Sequence, residues 1–215
     1  MKISGAIFDM DGTLTDSMFI WEDLCSRYLI SCGINPHANL REEIKKLTMG
    51  ETIEYIRTVY SLKQTNEEIY KALEAMLIPM YRDEVLPKEN VFLLLDRLKE
   101  RGVKMAVASA TDEHIVRMVL EKNGLMKYFS EVFTCTGVGA GKEEPLIYEK
   151  ALEFLGTPKN ETVIFEDAIY AIKTAWKANF PVAAVYDDSQ KAYQDEIKEL
   201  SDFYITDYRE AAILF

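Results

Sequence analysis

Histidine and cysteine are scarce in this chain of 215 residues: two of the first, His37 and His114, and three of the second. So thin a supply argues against a zinc site, which draws on paired cysteines and histidines. Nor is there a disulfide framework. Cys25 and Cys32 fall on one expected helix seven residues apart, roughly 10 Å at a rise of about 1.5 Å per residue, too far to bridge. Cys135 stands alone, and the pattern reads as that of a protein of the reducing cytoplasm.

Positive charge is also short. Lys and Arg total 25 against 36 Asp and Glu, a net charge of −11. That balance argues against nucleic acid or an anionic membrane as a partner, since both call for a basic face. An anionic ligand would have to be held by a local device, against the overall field. No apolar run approaches the roughly 20 residues of a membrane span, and the opening stretch MKISGAIFDMDG has no apolar signal-peptide core. What the chain does have is 48% hydrophobic and 28% charged residues, and enough length for a buried core with a smaller insert.

Short runs rich in Val, Ile and Phe recur at 2–8, 103–109, 131–135, 162–166, 181–186 and 202–206, separated by helical patterns. Near-continuous hydrophobicity suits strands covered on both faces, and the alternation implies a doubly wound parallel α/β sheet. Gly102, Gly124 and Gly156 stand where helices should stop. Residues 17–84 break the alternation and show helical pattern only, in SMFIWEDLCSRYLISC, NLREEIKKL, ETIEYIRTVY and NEEIYKALEAMLIPMYRDE. Thr65 and Glu68 form an expected capping box for the last of these. The expected organisation is a core of 1–16 plus 85–215 and an all-helical cap of 17–84.

Polar residues punctuate the strand ends. Asp9 and Asp11 follow the first strand, Ser109 with Ala110 and Thr111 the second, Lys142 the third, Glu166 and Asp167 the fourth. Carboxyl ends of parallel strands are where open α/β sheets build their ligand crevice. Four acids meeting there call for a cation, and all-oxygen ligands suit Mg²⁺. A hydroxyl, helix N-terminal amides and an ammonium suit a phosphate.

These residues, in this order, resemble the haloacid dehalogenase-like phosphatase superfamily. DMDGTLTDS is similar to its nucleophile motif, VASAT to its Ser/Thr motif, GKEEPLIYEKAL to its lysine motif and IFEDAIYAI to its acidic motif. The insert resembles the helical cap of the subgroup that includes phosphoglycolate phosphatases and beta-phosphoglucomutases. The resemblance implies a phosphatase acting on a small-molecule phosphate monoester through an aspartyl-phosphate. Asp9 would be the nucleophile and Asp11 the general acid and base. Asp9, Asp11 (through its backbone carbonyl) and Asp167 would hold Mg²⁺, with Glu166 in or beside that shell. Ser109, the Ala110 amide and Lys142 would hold phosphoryl oxygens, and Gly12 would turn the chain out of the strand. A cytoplasmic monomer or weak homodimer is expected.

The chain also departs from that pattern. Ala168 and Ala171 stand where relatives often carry Ser and Gly, and Glu143 and Glu144 follow Lys142 where relatives often carry Pro. The mutase branch has a His ten residues after the second Asp, and here that position is Trp21. Hydrolysis is therefore favoured over a beta-phosphoglucomutase-like shuttle. A non-enzymatic phospho-accepting regulatory module is the alternative from another class; its usual length is about half this chain. Asp187 and Asp188 read as a solvated turn. Met18, Trp21, Met49 and Tyr81 read as packing residues of the cap, with substrate contact as the alternative.

Overall fold

The computed structural model describes residues 2–44, 47 and 49–215, with Glu22 described by its backbone alone. The chain forms two compact units, one of Met1–Asp16 with Leu86–Phe215 and one of Ser17–Val85.

The first unit is built on eight strands: β1 (Gly5–Phe8), β2 (Thr15–Asp16), β3 (Leu86–Pro87), β4 (Lys104–Ser109), β5 (Val132–Thr134), β6 (Thr162–Glu166), β7 (Val182–Val185) and β8 (Phe203–Ile205). Six of them form one parallel sheet in the order β5-β4-β1-β6-β7-β8, matching the six apolar runs of the sequence. β1 lies at its centre, between β4 and β6. The chain builds outward from β1 on one side and then returns to build on the other, so a switch in strand order falls at β1. β2 and β3 pair separately as an antiparallel ribbon, too short to register as an apolar run.

Six helices connect and cover these strands: Val91–Glu100, Glu113–Lys122, Cys135–Val138, Leu146–Leu155, Ile169–Lys177 and Gln194–Glu199, with Tyr208–Leu214 closing the chain. Ile7, Ile164 and Val182 project to one face of the sheet and pack with Ile147, Ala151, Ile169 and Ile172 of the third-strand and fourth-strand helices. On the sheet at β1 and β6, Phe8 and Phe165 stack with ring centroids 4.2 Å apart, and Phe129 and Phe215 meet them edge-on. Burying both faces accounts for the continuous hydrophobicity of the strands.

The second unit is helical, as its pattern predicts: α1 (Met18–Ser31), α2 (Leu40–Ile44), α3 (Met49–Val59) and α4 (Asn66–Asp83). Ile69, Leu73 and Leu77, four residues apart, form a buried stripe on α4. The Thr65–Glu68 capping box is formed in both directions. The expected helix NLREEIKKL covers α2; its Lys45 and Lys46 lie outside the described residues. Tyr81 is fully buried, as a packing residue should be, while Met18, Trp21 and Met49 are half-buried. Among the described residues no helix is long and apolar enough to cross a membrane.

Candidate active site

The register of the sheet brings the first acids together. Phe8 pairs with Phe165 on β6 and with Val107 on β4, and the Asp9 N–H donates to the Phe165 carbonyl at 2.9 Å. Asp9 therefore stands beside Glu166, one residue past the paired positions on both strands. Beyond Asp9 the chain turns tightly around one acceptor. The Met10 carbonyl receives the N–H groups of Thr13, Leu14 and Thr15 and the Thr15 hydroxyl. Gly12 makes the turn at φ +79°, a left-handed conformation that glycine adopts without the Cβ penalty. A Cβ there would lie 2.6 Å from Asp167 Oδ2.

Lys142, in the turn between Cys135–Val138 and Leu146–Leu155, is buried and its ammonium donates to Asp9 Oδ1 and to Glu166 Oε2, the latter at 2.8 Å. The other Glu166 oxygen accepts the Ala168 N–H at 3.3 Å. Ser109 ends β4, fully buried, and its Oγ accepts the Thr111 N–H at 3.1 Å, while Ala110 is exposed. Asp11 is half-buried, and its Oδ2 accepts the Thr111 hydroxyl at 2.7 Å. The turn after β4 thus holds Ser109 with one backbone bond and Asp11 with one side-chain bond.

Carboxylate oxygens of Asp9, Glu166 and Asp167 lie within 4.8 Å of one another, and all three side chains are buried. Burial, and then the charge of Glu166, push the Asp9 carboxyl well above its ordinary range against the pull of Lys142. Burial raises Asp167 likewise, with Glu166, Asp9 and Asp187 adding to it. For Lys142 burial works the other way, yet Asp9 and Glu166 outweigh it and hold the ammonium firmly charged. Three carboxylates against one ammonium leave an excess of two negative charges (3 − 1) in a buried space. Asp167 Oδ2 is buried with no hydrogen-bond partner among the described residues. An orphaned carboxylate oxygen, two uncompensated charges and an all-oxygen donor set fit a divalent cation such as Mg²⁺.

Three features of this neighbourhood escape the sequence reading. Thr13 donates its hydroxyl to Asp167 Oδ1 at 3.2 Å, although it lies inside the first motif. The Tyr148 hydroxyl lies 3.5 Å from Glu166 Oε2. The third is a correction: Asp187 is not part of a solvated turn. It is buried, with Oδ2 2.6 Å from Lys88 Nζ and Oδ1 accepting the Ser189 N–H at 2.9 Å. Its partner lies 99 residues away in the chain, so no local spacing announces the pair.

Buried carboxylates gathered at the carboxyl ends of a parallel sheet, beside a reversal of strand order, stand where open α/β folds place their ligands. The chain belongs to the haloacid dehalogenase-like hydrolases, whose family model matches residues 6–185. It is 25% identical over 176 residues to a phosphorylated carbohydrates phosphatase of Thermotoga maritima, covering 82% of each chain. It is 28% identical over 193 residues to the chloroplastic protein SUPPRESSOR OF QUENCHING 1 of Arabidopsis thaliana, covering 86% of this chain and 18% of that protein. In fold it matches a HAD family hydrolase of Deinococcus radiodurans solved with bound phosphate and sodium, at a TM-score of 0.75 and 19% identity, over 97% of this chain and 93% of that one.

Proposed function

We propose that this chain is a Mg²⁺-dependent phosphatase that hydrolyses a small phosphate monoester, such as a sugar phosphate or phosphoglycolate, through an aspartyl-phosphate. The observation that carries the reading is the buried cluster itself: Asp9 held by Lys142, beside an Asp167 with an unpartnered oxygen. The similarity to a phosphatase of phosphorylated carbohydrates supports the substrate class.

In the first step an Asp9 carboxylate oxygen forms a bond to phosphorus as the bond from phosphorus to the leaving oxygen breaks. Asp11 gives its proton to that oxygen, and the alcohol departs. In the second step water adds to phosphorus, its proton passes to Asp11, and the bond to Asp9 breaks, returning both acids to their starting states with release of inorganic phosphate. Lys142, whose charge the neighbouring acids secure, orients the Asp9 carboxylate and neutralises phosphoryl oxygens. Ser109 and the exposed backbone of Ala110 meet the remaining phosphoryl oxygens. Asp9, Asp167 and the Asp11 carbonyl would hold Mg²⁺; Glu166, with Lys142 on one oxygen and the Ala168 amide on the other, would stand beside that shell. When bound, the cation supplies electrostatic neutralisation of the transferring group.

The test is phosphate release from a panel of sugar phosphates, phosphoglycolate, nucleotides and an aryl phosphate, comparing wild type and Asp9→Asn with and without Mg²⁺. Release that requires both supports the reading. Conversion of a sugar 1-phosphate to its 6-phosphate with no free phosphate would replace it with a mutase. Stable phosphorylation of Asp9 without turnover would replace it with a regulatory module.

A further inference from the structure

Thr111 has no role in the reaction described above, yet its hydroxyl donates to Asp11 Oδ2 at 2.7 Å. Its placement follows from the sheet. Phe8 and Val107 are paired across β1 and β4, so Asp11, three residues past Phe8, and Thr111, four past Val107, come to the same level above the strand ends. Thr111 is nearly fully buried, and its own N–H is tied to Ser109 Oγ at 3.1 Å. A β-branched side chain on an anchored backbone has little χ1 freedom, and a buried hydroxyl has to find an acceptor. Asp11, by contrast, is half-buried, and its Oδ2 accepts the Thr111 hydroxyl.

We propose that Thr111 is the positioning residue for proton transfer by Asp11: its hydroxyl fixes the carboxyl rotamer from which the proton reaches the leaving oxygen. The inference rests on the reading of Asp11 as the general acid. A general acid works only from within hydrogen-bond reach of the atom it protonates, so loss of the bond to Thr111 costs rate in proportion to how much the leaving group needs a proton. As the ester bond breaks, the Asp11 O–H proton moves to the departing oxygen and leaves Asp11 a carboxylate, still bonded to the Thr111 hydroxyl. The same turn holds Ser109, so the phosphate-binding hydroxyl and the proton donor are set by one segment of chain.

Leaving-group dependence separates this role from a merely structural one. Glycerol phosphate releases an alkoxide that must be protonated, whereas dinitrophenyl phosphate releases a stable phenolate. For Thr111→Val, kcat/KM, which reports formation of the aspartyl-phosphate and not its later hydrolysis, should fall about thirtyfold on glycerol phosphate and stay within about twofold on dinitrophenyl phosphate. Thr111→Ser, which keeps the hydroxyl, should recover kcat/KM on glycerol phosphate to within about threefold of wild type, and Asp11→Asn should show the same selectivity in kcat/KM as Thr111→Val in exaggerated form. Equal losses on both substrates, or no loss on either, in a folded Thr111→Val with the selectivity still present in Asp11→Asn, would overturn the assignment of Thr111 alone. No selectivity in Asp11→Asn, or no phosphate release by the wild type, would overturn the phosphatase reading and this assignment with it.

Discussion

Two lysines at the strand ends of the α/β unit, Lys88 half-buried and Lys142 buried, are held in opposite ways. Lys88 is matched to a single carboxylate, Asp187, and also donates to the Tyr186 carbonyl at 3.2 Å; the second oxygen of Asp187 takes a backbone N–H. Charge balances one to one, and each oxygen of that carboxylate has a partner. Lys142 faces Asp9 and Glu166 together, with Asp167 close by keeping an oxygen that nothing in the described chain satisfies. Burial alone does not separate a structural ion pair from a working site: Lys88 is half-buried and Lys142 buried, and both face buried carboxylates. What separates them is the remainder: the first cluster closes on itself, and the second is left two charges and one acceptor short of closure.

That contrast is sharpest under substitution, and the largest effect belongs to Asp9. Asp9→Asn removes the proposed nucleophile and should lower phosphate release by on the order of 10⁴-fold or more. The thermal midpoint should hold or rise, because one of the mutually repelling carboxylates has gone. Turnover within about tenfold of wild type would erase the distinction between the two lysine sites.

Lys88→Met should do the reverse. It strands the Asp187 carboxylate in a buried position, which costs roughly 3–5 kcal/mol of folding free energy by denaturant titration, with kcat of the folded fraction little changed. Adding Asp187→Leu should recover most of that loss, since an apolar pair of similar volume replaces the ion pair. If the single variant were as stable as wild type but inactive, Lys88 would belong with the chemistry.

Gly12→Ala tests the Lys142 cluster from the side of the missing ligand. The added Cβ would stand 2.6 Å from Asp167 Oδ2 on a backbone at φ +79°, so the carboxylate must shift or the turn must open. On the proposed reading Asp167 holds the cation, and since disturbing even an outer partner of a metal ligand costs about 10–100-fold in affinity, the Mg²⁺ concentration for half-maximal activity should rise by at least that factor. An unchanged half-saturation would place the cation away from Asp167.

The sequence carried these two sites unequally, for a physical reason. β1, β6 and β7 are buried along their whole length and β4 beyond Lys104, so each leaves a run of apolar residues that can be read without knowing its neighbours. Acids and hydroxyls at the ends of such runs are gathered by the parallel topology itself; Asp9 and Glu166 stand side by side because Phe8 and Phe165 are in register. The Thr65–Glu68 cap is local and equally legible. Asp187 was not, because its environment depends on Lys88, 99 residues away in the chain. The β2–β3 ribbon was missed on the same ground, two residues pairing with two across that insert. Thr111 was visible as a residue but not as a partner of Asp11, since that bond spans 100 positions and depends on how two loops face each other.

The smallest effect is a dependence of stability on pH that only the unbalanced cluster should show. Asp9 and Asp167 have folded-state pKa values raised above the ordinary 3.8, by burial first and then by neighbouring charge. A raised carboxyl binds its proton more tightly in the native state than in the unfolded one. Its contribution to stability is therefore complete below the ordinary value and is lost as pH rises through the folded value. Lys142, raised above 10.5, contributes no change until pH is far more alkaline. Metal-free protein should thus lose stability from pH 5 toward 7, by up to about 1.4 kcal/mol per pH unit for each proton involved. Mg²⁺ competes with those protons, so its stabilisation should be slight at pH 5 and grow toward pH 7, flattening the profile. Thermal unfolding across this range, with chelator and with Mg²⁺, gives both slopes. In Asp9→Asn the metal-free slope should shrink by about one proton's worth, whereas Lys88→Met should keep it. Metal-free stability that climbed from pH 5 to 7, or a Mg²⁺ effect independent of pH, would mean that the charges at Lys142 are balanced after all, as they are at Lys88.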